Sequence, residues 1–248
     1  MIDQQYINYF EIVKEHIADA SVYPFNIPAI QRLQKVTLHP KVTFIIGENG
    51  SGKSTLLEAL AIQYGFNAEG GSRNFSFATK RTHSPLSDVL RIGRGGLRAR
   101  DGFFLRAESF YNTASYVDDL EAEKPGLLGH YGNKSLHQQS HGESFFSLFM
   151  HRFSGRGFYI LDEPEAALSP QRQLSFLVRM HELVGAQSQL VIATHAPMIL
   201  AYPHAKIIEL SLPEPRTVRF TDTEHYAVYK AFLNNPEGML NQLGIYND

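Results

Sequence analysis

The chain has 248 residues, 43% of them hydrophobic, and its 23 basic side chains stand against 25 acidic ones for a formal net charge of −2. That balance excludes a global basic field for nucleic acid or an anionic membrane, so any such contact would be a local patch. The absence of cysteine excludes disulfides and cysteine-ligated zinc or iron–sulfur centres, and the length suits one large α/β domain over residues 1–248, with two small domains as the alternative.

The segment Met1-Ile2-Asp3-Gln4-Gln5-Tyr6 has neither a basic start nor an apolar run, and no later run reaches bilayer length, so the expected location is cytoplasmic. Residues 29–39 partly alternate in polarity, as an antiparallel strand would, and Pro40 ends the run. Residues 42–46 form a continuous apolar run, the pattern of a buried parallel strand.

Directly after that run comes Gly47-Glu48-Asn49-Gly50-Ser51-Gly52-Lys53-Ser54, a G-x-x-x-x-G-K-S pattern. Its glycines let successive backbone N–H groups turn toward phosphate oxygens, its lysine reaches the β- and γ-phosphates, and its serine hydroxyl can ligand Mg²⁺. Residues 53–64 are good helix formers, which places the loop between a strand and a helix N-terminus. Such a cradle serves many reactions and does not by itself name one.

Residues 66–107 are irregular and arginine-rich, with Arg73, Lys80, Arg81, Arg91, Arg94, Arg98 and Arg100. Two readings stay open for them, a solvated loop region and a basic surface for phosphate. Gln139-Ser140-His141-Gly142-Glu143 is a Ser/Gly-containing turn before a helix over 143–152, and read by itself it is a helix cap.

Residues 158–161 read as a second buried strand, ending in Asp162-Glu163-Pro164. Neighbouring side chains at a strand end point in different directions, so the two acids can divide metal holding (Asp162) from water activation (Glu163). Ser169-Pro170 makes an N-cap and first-turn pair for a helix over 170–184. Residues 190–193 form a third strand that presents His195 at its carboxyl end, where ligands of α/β sheets bind. A further strand is expected over 207–210 and another over 216–221, with closing helices over 223–233 and 236–243.

The succession of cradle, strand-Asp-Glu-Pro and strand-Thr-His resembles the ATP-binding cassette (ABC) class of P-loop ATPases. The form Asp-Glu-Pro-Glu-Ala-Ala-Leu-Ser-Pro at 162–170 is similar to the soluble DNA-repair and chromosome-maintenance branch and to small stand-alone ATPases. The resemblance implies an α/β P-loop fold: a central, mostly parallel sheet, an N-terminal antiparallel β part, and a reduced helical subdomain over 109–150. It implies ATP and Mg²⁺ as ligands, with Asn49, Gly50, Ser51, Gly52, Lys53, Ser54 and Thr55 on the nucleotide, and Ser54 and Asp162 on the metal. Glu163, His195 and Lys53 would carry catalysis.

The family's signature turn corresponds to Ser140, His141, Gly142 and Glu143, which would cap the ATP held by a second copy in a head-to-tail homodimer. Gln139 and His141 depart from the usual Leu and Gly, and in residues 165–170, which correspond to the family's D-loop, Ser169 stands where an acid is usual. A short strand from Gly102 leads toward Glu108, the Q-loop candidate, and Tyr23 or Phe25 could stack on adenine, although core packing is the expected fate of both.

An unidentified protein or nucleic acid would be the partner. The alternatives are the ATP-binding subunit of a membrane transporter and a small-molecule kinase. Only 31 residues separate Glu108 from Ser140, short for a subdomain that grips a membrane partner, and a kinase has no use for the signature.

Overall fold

Two sheets organise this computed structural model, which describes residues 5–72, 84–106, 110–123, 141–211 and 214–245 together with positions 126, 128, 129, 135 and 137. The chain begins with β1 (Ile7–Ile12), α1 (Pro28–Arg32), β2 (Val36–Thr37), β3 (Val42–Ile46) and α2 (Lys53–Tyr64). Next come α3 (Leu86–Val89), β4 (Leu90–Arg94), β5 (Asp101–Arg106), α4 (Phe110–Glu123) and α5 (His141–His151). β6 (Gly157–Asp162), α6 (Pro170–Gly185), β7 (Gln189–Ala193), α7 (Pro197–Leu200) and β8 (Lys206–Glu209) follow, and β9 (Arg216–Val218), α8 (Glu224–Asn234) and α9 (Pro236–Gln242) close the fold.

The large sheet has the order β5-β6-β7-β3-β8-β9. Its first five strands run parallel and β9 is antiparallel to β8. The small sheet, β2-β1-β4, is antiparallel, as expected for the N-terminal part. Every residue of β3, β6 and β7 is buried, which is why their sequences are near-continuous apolar runs rather than alternating ones, with Thr43, Asp162 and Gln189 as their buried polar members.

Period-two geometry sends these side chains into two cores. Ile45, Ile160 and Val191 join Leu56, Leu57 and Leu60 of α2 on one face. Phe44, Leu161 and Ile192 join Phe145, Phe149 and Phe176 of α5 and α6 on the other, where the Phe149 and Phe176 rings stack with centroids 4.2 Å apart. The fully buried Gln189 ties the sheets together: its amide accepts from Tyr6 N and Ile7 N and donates to Ile7 O and His39 O, so no buried polar atom of that side chain lacks a partner.

Two expectations need correction. Most of the 29–39 strand is absent, because Pro28 occupies the first turn of α1 and Ala29 and Ile30 turn into the core, leaving only β2. The 216–221 strand stops at Val218, and Phe220–Asp222 forms a 3₁₀ turn beside an Arg219–Asp222 ion pair. The Ser169-Pro170 cap forms as expected, with Ser169 Oγ accepting from Arg172 N.

This topology sets the carboxyl ends of β6, β7 and β3 side by side at one edge of the sheet. The loops that follow them hold the site described next.

Candidate functional site

The cradle is shaped by three left-handed glycines. Gly47, Gly50 and Gly52 have φ of 152°, 80° and 92°, and a Cβ on Gly47 would lie 2.9 Å from Leu210 O. Gly52 is the N-cap of α2 and brings no side chain to cap it, so the helix presents uncapped N–H groups to the loop. Ser51 Oγ is buried with no hydrogen-bond partner among the described residues. Uncapped donors, an orphaned hydroxyl and a lysine fit a phosphate chain.

Lys53 is 5% exposed, and its Nζ donates to Gly47 O at 2.8 Å and to Glu48 O at 3.0 Å. Burial pulls its pKa below the usual lysine value, while the charges of Glu163, Asp162 and Glu165 pull it back up. Ser54 Oγ donates to Asp162 Oδ1 at 3.2 Å, across 108 residues of chain. This hydroxyl and carboxylate are oxygen donors of the kind Mg²⁺ takes.

Glu163 follows Asp162 with a left-handed backbone, φ 51°, and its N–H is held by Ala193 O of β7. Its carboxylate is half-exposed and lies 3.8 Å from His195 Nε2. His195 is fixed from two sides: its N–H donates to the Glu165 carboxylate, and its Nδ1 lies 3.1 Å from His225 Nε2 on α8. Burial, then the nearby Lys53 charge, holds the His195 pKa low, with Glu163 opposing. Burial, then the charge on His195, does the same to His225, while burial raises the Glu165 carboxyl.

A cavity of about 680 Å³ opens beside the cradle, between Gly47–Ser51 on one side and Glu224 and His225 on the other, with His195 at its wall. At the far side of Asp162, Arg106 ends β5 in register with it. Arg106 bonds Glu58 of α2 at 2.8 Å and lies 3.7 Å from Asp162 Oδ2.

The structure therefore brings Lys53, Ser54, Asp162, Glu163 and His195 together, with Asn49, Gly50, Ser51 and Gly52 around them. Thr55 Oγ1 meets the Tyr23 hydroxyl at 2.8 Å. Tyr23 is 63% exposed, against the expectation that it packs in the core, whereas Phe25 is buried as expected. Gly142 and Glu143 lie in the first turn of α5, which begins at His141, and Glu143 pairs with Arg172 at 3.4 Å. Neither lines the cavity beside the cradle. Ser140 and Glu108 fall outside the described residues.

Three contributors escaped sequence reading. Arg106 and Glu165 sit near recognisable motifs, so a charged residue at a strand end or in the D-loop was a usable signal. His225 had none, being one of eleven histidines and 30 residues from its partner.

A family model described as an AAA domain matches residues 25–94, the stretch that contains the cradle. An ATP-binding cassette of an ABC transporter, solved in its ADP conformation, aligns with 91% of this chain and 99% of its own at 15% identity and a TM-score of 0.50. The SMC head domain from Thermotoga maritima aligns with 87% of this chain and 99% of its own at 13% identity and a TM-score of 0.46. No curated protein matches the sequence. The fold is that of the ABC-type P-loop ATPases.

Proposed function

We propose that this chain, an ABC-type P-loop ATPase by fold, binds ATP and hydrolyses its terminal phosphoryl group. The observation that carries the reading is the Ser54–Asp162 hydrogen bond, which joins the cradle to the β6 carboxylate pair and leaves Glu163 facing His195. Neither a small-molecule kinase nor a bare phosphate cradle requires that constellation.

In this reading the Lys53 ammonium exchanges the carbonyls of Gly47 and Glu48 for β- and γ-phosphate oxygens, joined by the α2 N–H groups. Ser54 and Asp162 hold Mg²⁺, which when bound offsets negative charge on the phosphate oxygens. Glu163 accepts a proton from the attacking water as the water oxygen bonds to the γ-phosphorus and the bond to the bridging oxygen breaks, releasing ADP. His195 donates from Nε2 to the charge developing on the γ-phosphoryl.

His225 is a positioning residue. When its Nε2–H donates to His195 Nδ1, the remaining proton of a neutral His195 sits on Nε2, the tautomer the reaction needs. Glu165 fixes the backbone of the same histidine.

The site is exposed enough at Glu163 to need a second surface. A second copy would supply it through Ser140, His141, Gly142 and Glu143 in a head-to-tail homodimer. Hydrolysis then releases the phosphate bridge and opens the dimer on a protein or nucleic-acid partner.

Phosphate release from Mg²⁺-ATP tests the core of the reading. Wild type should turn over and Glu163→Gln should not, while still retaining ATP. A wild type that binds ATP yet releases no phosphate, or a Glu163→Gln form that is as fast, would sink it.

A further inference from the structure

A second cleft, of about 770 Å³, opens at the opposite edge of the large sheet. Its walls come from segments that lead into the parallel strands: Arg100 before β5, Arg156 before β6, Ser188 before β7 and Lys41 before β3. The cradle, Asp162 and His195 lie at the other ends of those strands. A five-residue strand at about 3.3 Å per residue therefore separates the two sites by roughly 16 Å.

Lys41, Arg98, Arg100 and Arg156 surround this cleft with positive charge, and no carboxylate lines it among the described residues. The nearby acids are already engaged. Asp101 accepts from Arg152, Ser154 and Tyr159, and Glu182 pairs with Arg179. Arg100 N donates to Arg156 O at 2.9 Å, which locks two guanidinium-bearing residues side by side. Both charges reach the hydroxyl of the buried Tyr6 at the cleft wall, where they counteract the upward push of burial on its pKa.

Arg156 holds φ 58°, a backbone that glycine accepts without strain and arginine does not. A cationic side chain at such a position, in a chain whose net charge is −2, concentrates like charges that a bound anion would neutralise. Guanidinium forks match phosphate oxygens two at a time.

Among its described residues the arginine-rich stretch is not a continuous track. Arg94 lies over the Tyr64 ring and donates to Gln63 O and Tyr64 O, and Arg106 serves Glu58 and Asp162. Among the described residues of that stretch, Arg98 and Arg100 are the basic side chains that line the cleft, where they converge with Arg156 and Lys41 on one concavity. Its volume falls within the roughly 300–1,000 Å³ of small-ligand sites.

We propose that this cleft binds a compact anion carrying two or more phosphate groups, at a site separate from the ATP cradle. The test is calorimetric titration of inorganic tripolyphosphate into the full chain carrying Lys53→Ala, so that the cradle contributes little. Binding is expected, and adding Arg156→Gly or Arg100→Ser should weaken it at least about tenfold. Arg156→Gly suits φ 58°, so its thermal midpoint should not fall, and Arg100→Ser supplies an independent variant. Unchanged tripolyphosphate binding in both variants overturns the proposal. So does the absence of tripolyphosphate binding when a 20-nucleotide single strand binds through the same arginines, because the cleft would then be part of a nucleic-acid surface.

Discussion

His195 Nδ1 of the loop after β7 lies 3.1 Å from His225 Nε2 at the start of helix α8. Thr223 caps that helix by accepting from Tyr226 N, so the position of His225 is set by the helix start. Replacing His225 with Ala should lower kcat roughly tenfold, a fraction of the full effect of a catalytic proton donor, and leave the KM for ATP nearly unchanged. His225→Gln, which can still donate a hydrogen bond, should recover part of the loss. Steady-state kinetics decide the matter, and an equal rise in KM for both variants would assign His225 to binding instead.

The same pair makes a pH prediction. Both imidazoles have pKa values held below the ordinary 6.5, chiefly by burial, so the folded state binds fewer protons than the unfolded chain. Stability is therefore greatest above pH 6.5 and falls as pH descends through that value toward the depressed folded values. The thermal midpoint should drop on acidification, and a double His195→Gln, His225→Gln variant should drop less steeply.

Lys53→Ala removes a buried ammonium aimed into the cradle. Charge-assisted hydrogen bonds contribute about 1.5–3 kcal/mol, so nucleotide affinity should fall by about 10- to 100-fold. A fluorescent-nucleotide titration measures this directly. Unchanged affinity would remove Lys53 from the phosphate site.

Glu163→Gln should retain ATP, lose hydrolysis by at least about 100-fold, and accumulate as a dimer. Light scattering after gel filtration with Mg²⁺-ATP reads the mass. A variant that holds ATP yet stays monomeric argues against the composite site while leaving the single-copy chemistry intact.

Gly47→Ala tests the cradle's shape without touching its charge. The added Cβ would meet Leu210 O at 2.9 Å on a backbone with φ 152°, so about 2 kcal/mol of stability should be lost. For a chain of this size that is a fall of roughly 4–8 °C in thermal midpoint, measurable by calorimetry. The variant with an unchanged midpoint would show that the loop relaxes freely.

Arg106→Met should also destabilise, by about 1–3 kcal/mol, because it leaves the largely buried Glu58 carboxylate without its guanidinium partner. Denaturant unfolding measures the loss. A shift in the Mg²⁺ concentration needed for half-maximal phosphate release would extend the effect to Asp162.

The strands at 42–46, 158–161 and 190–193 were legible in the sequence because burial on both faces leaves near-continuous apolar runs. The cradle was legible because its glycines, lysine and serine lie within eight consecutive residues. Where patterning was weak, as over 29–39, a proline at the start of a short helix and two core contacts outweighed it. Local chemistry thus determined the phosphate loop, Asp162-Glu163 and His195 as candidates. It could not reveal His225 beside His195, Arg106 beside Asp162, or Arg98 and Arg100 converging with Arg156. Those pairings depend on the strand order β5-β6-β7-β3-β8 and on where α8 comes to rest, and only the packing of distant segments around two shared cores decides either.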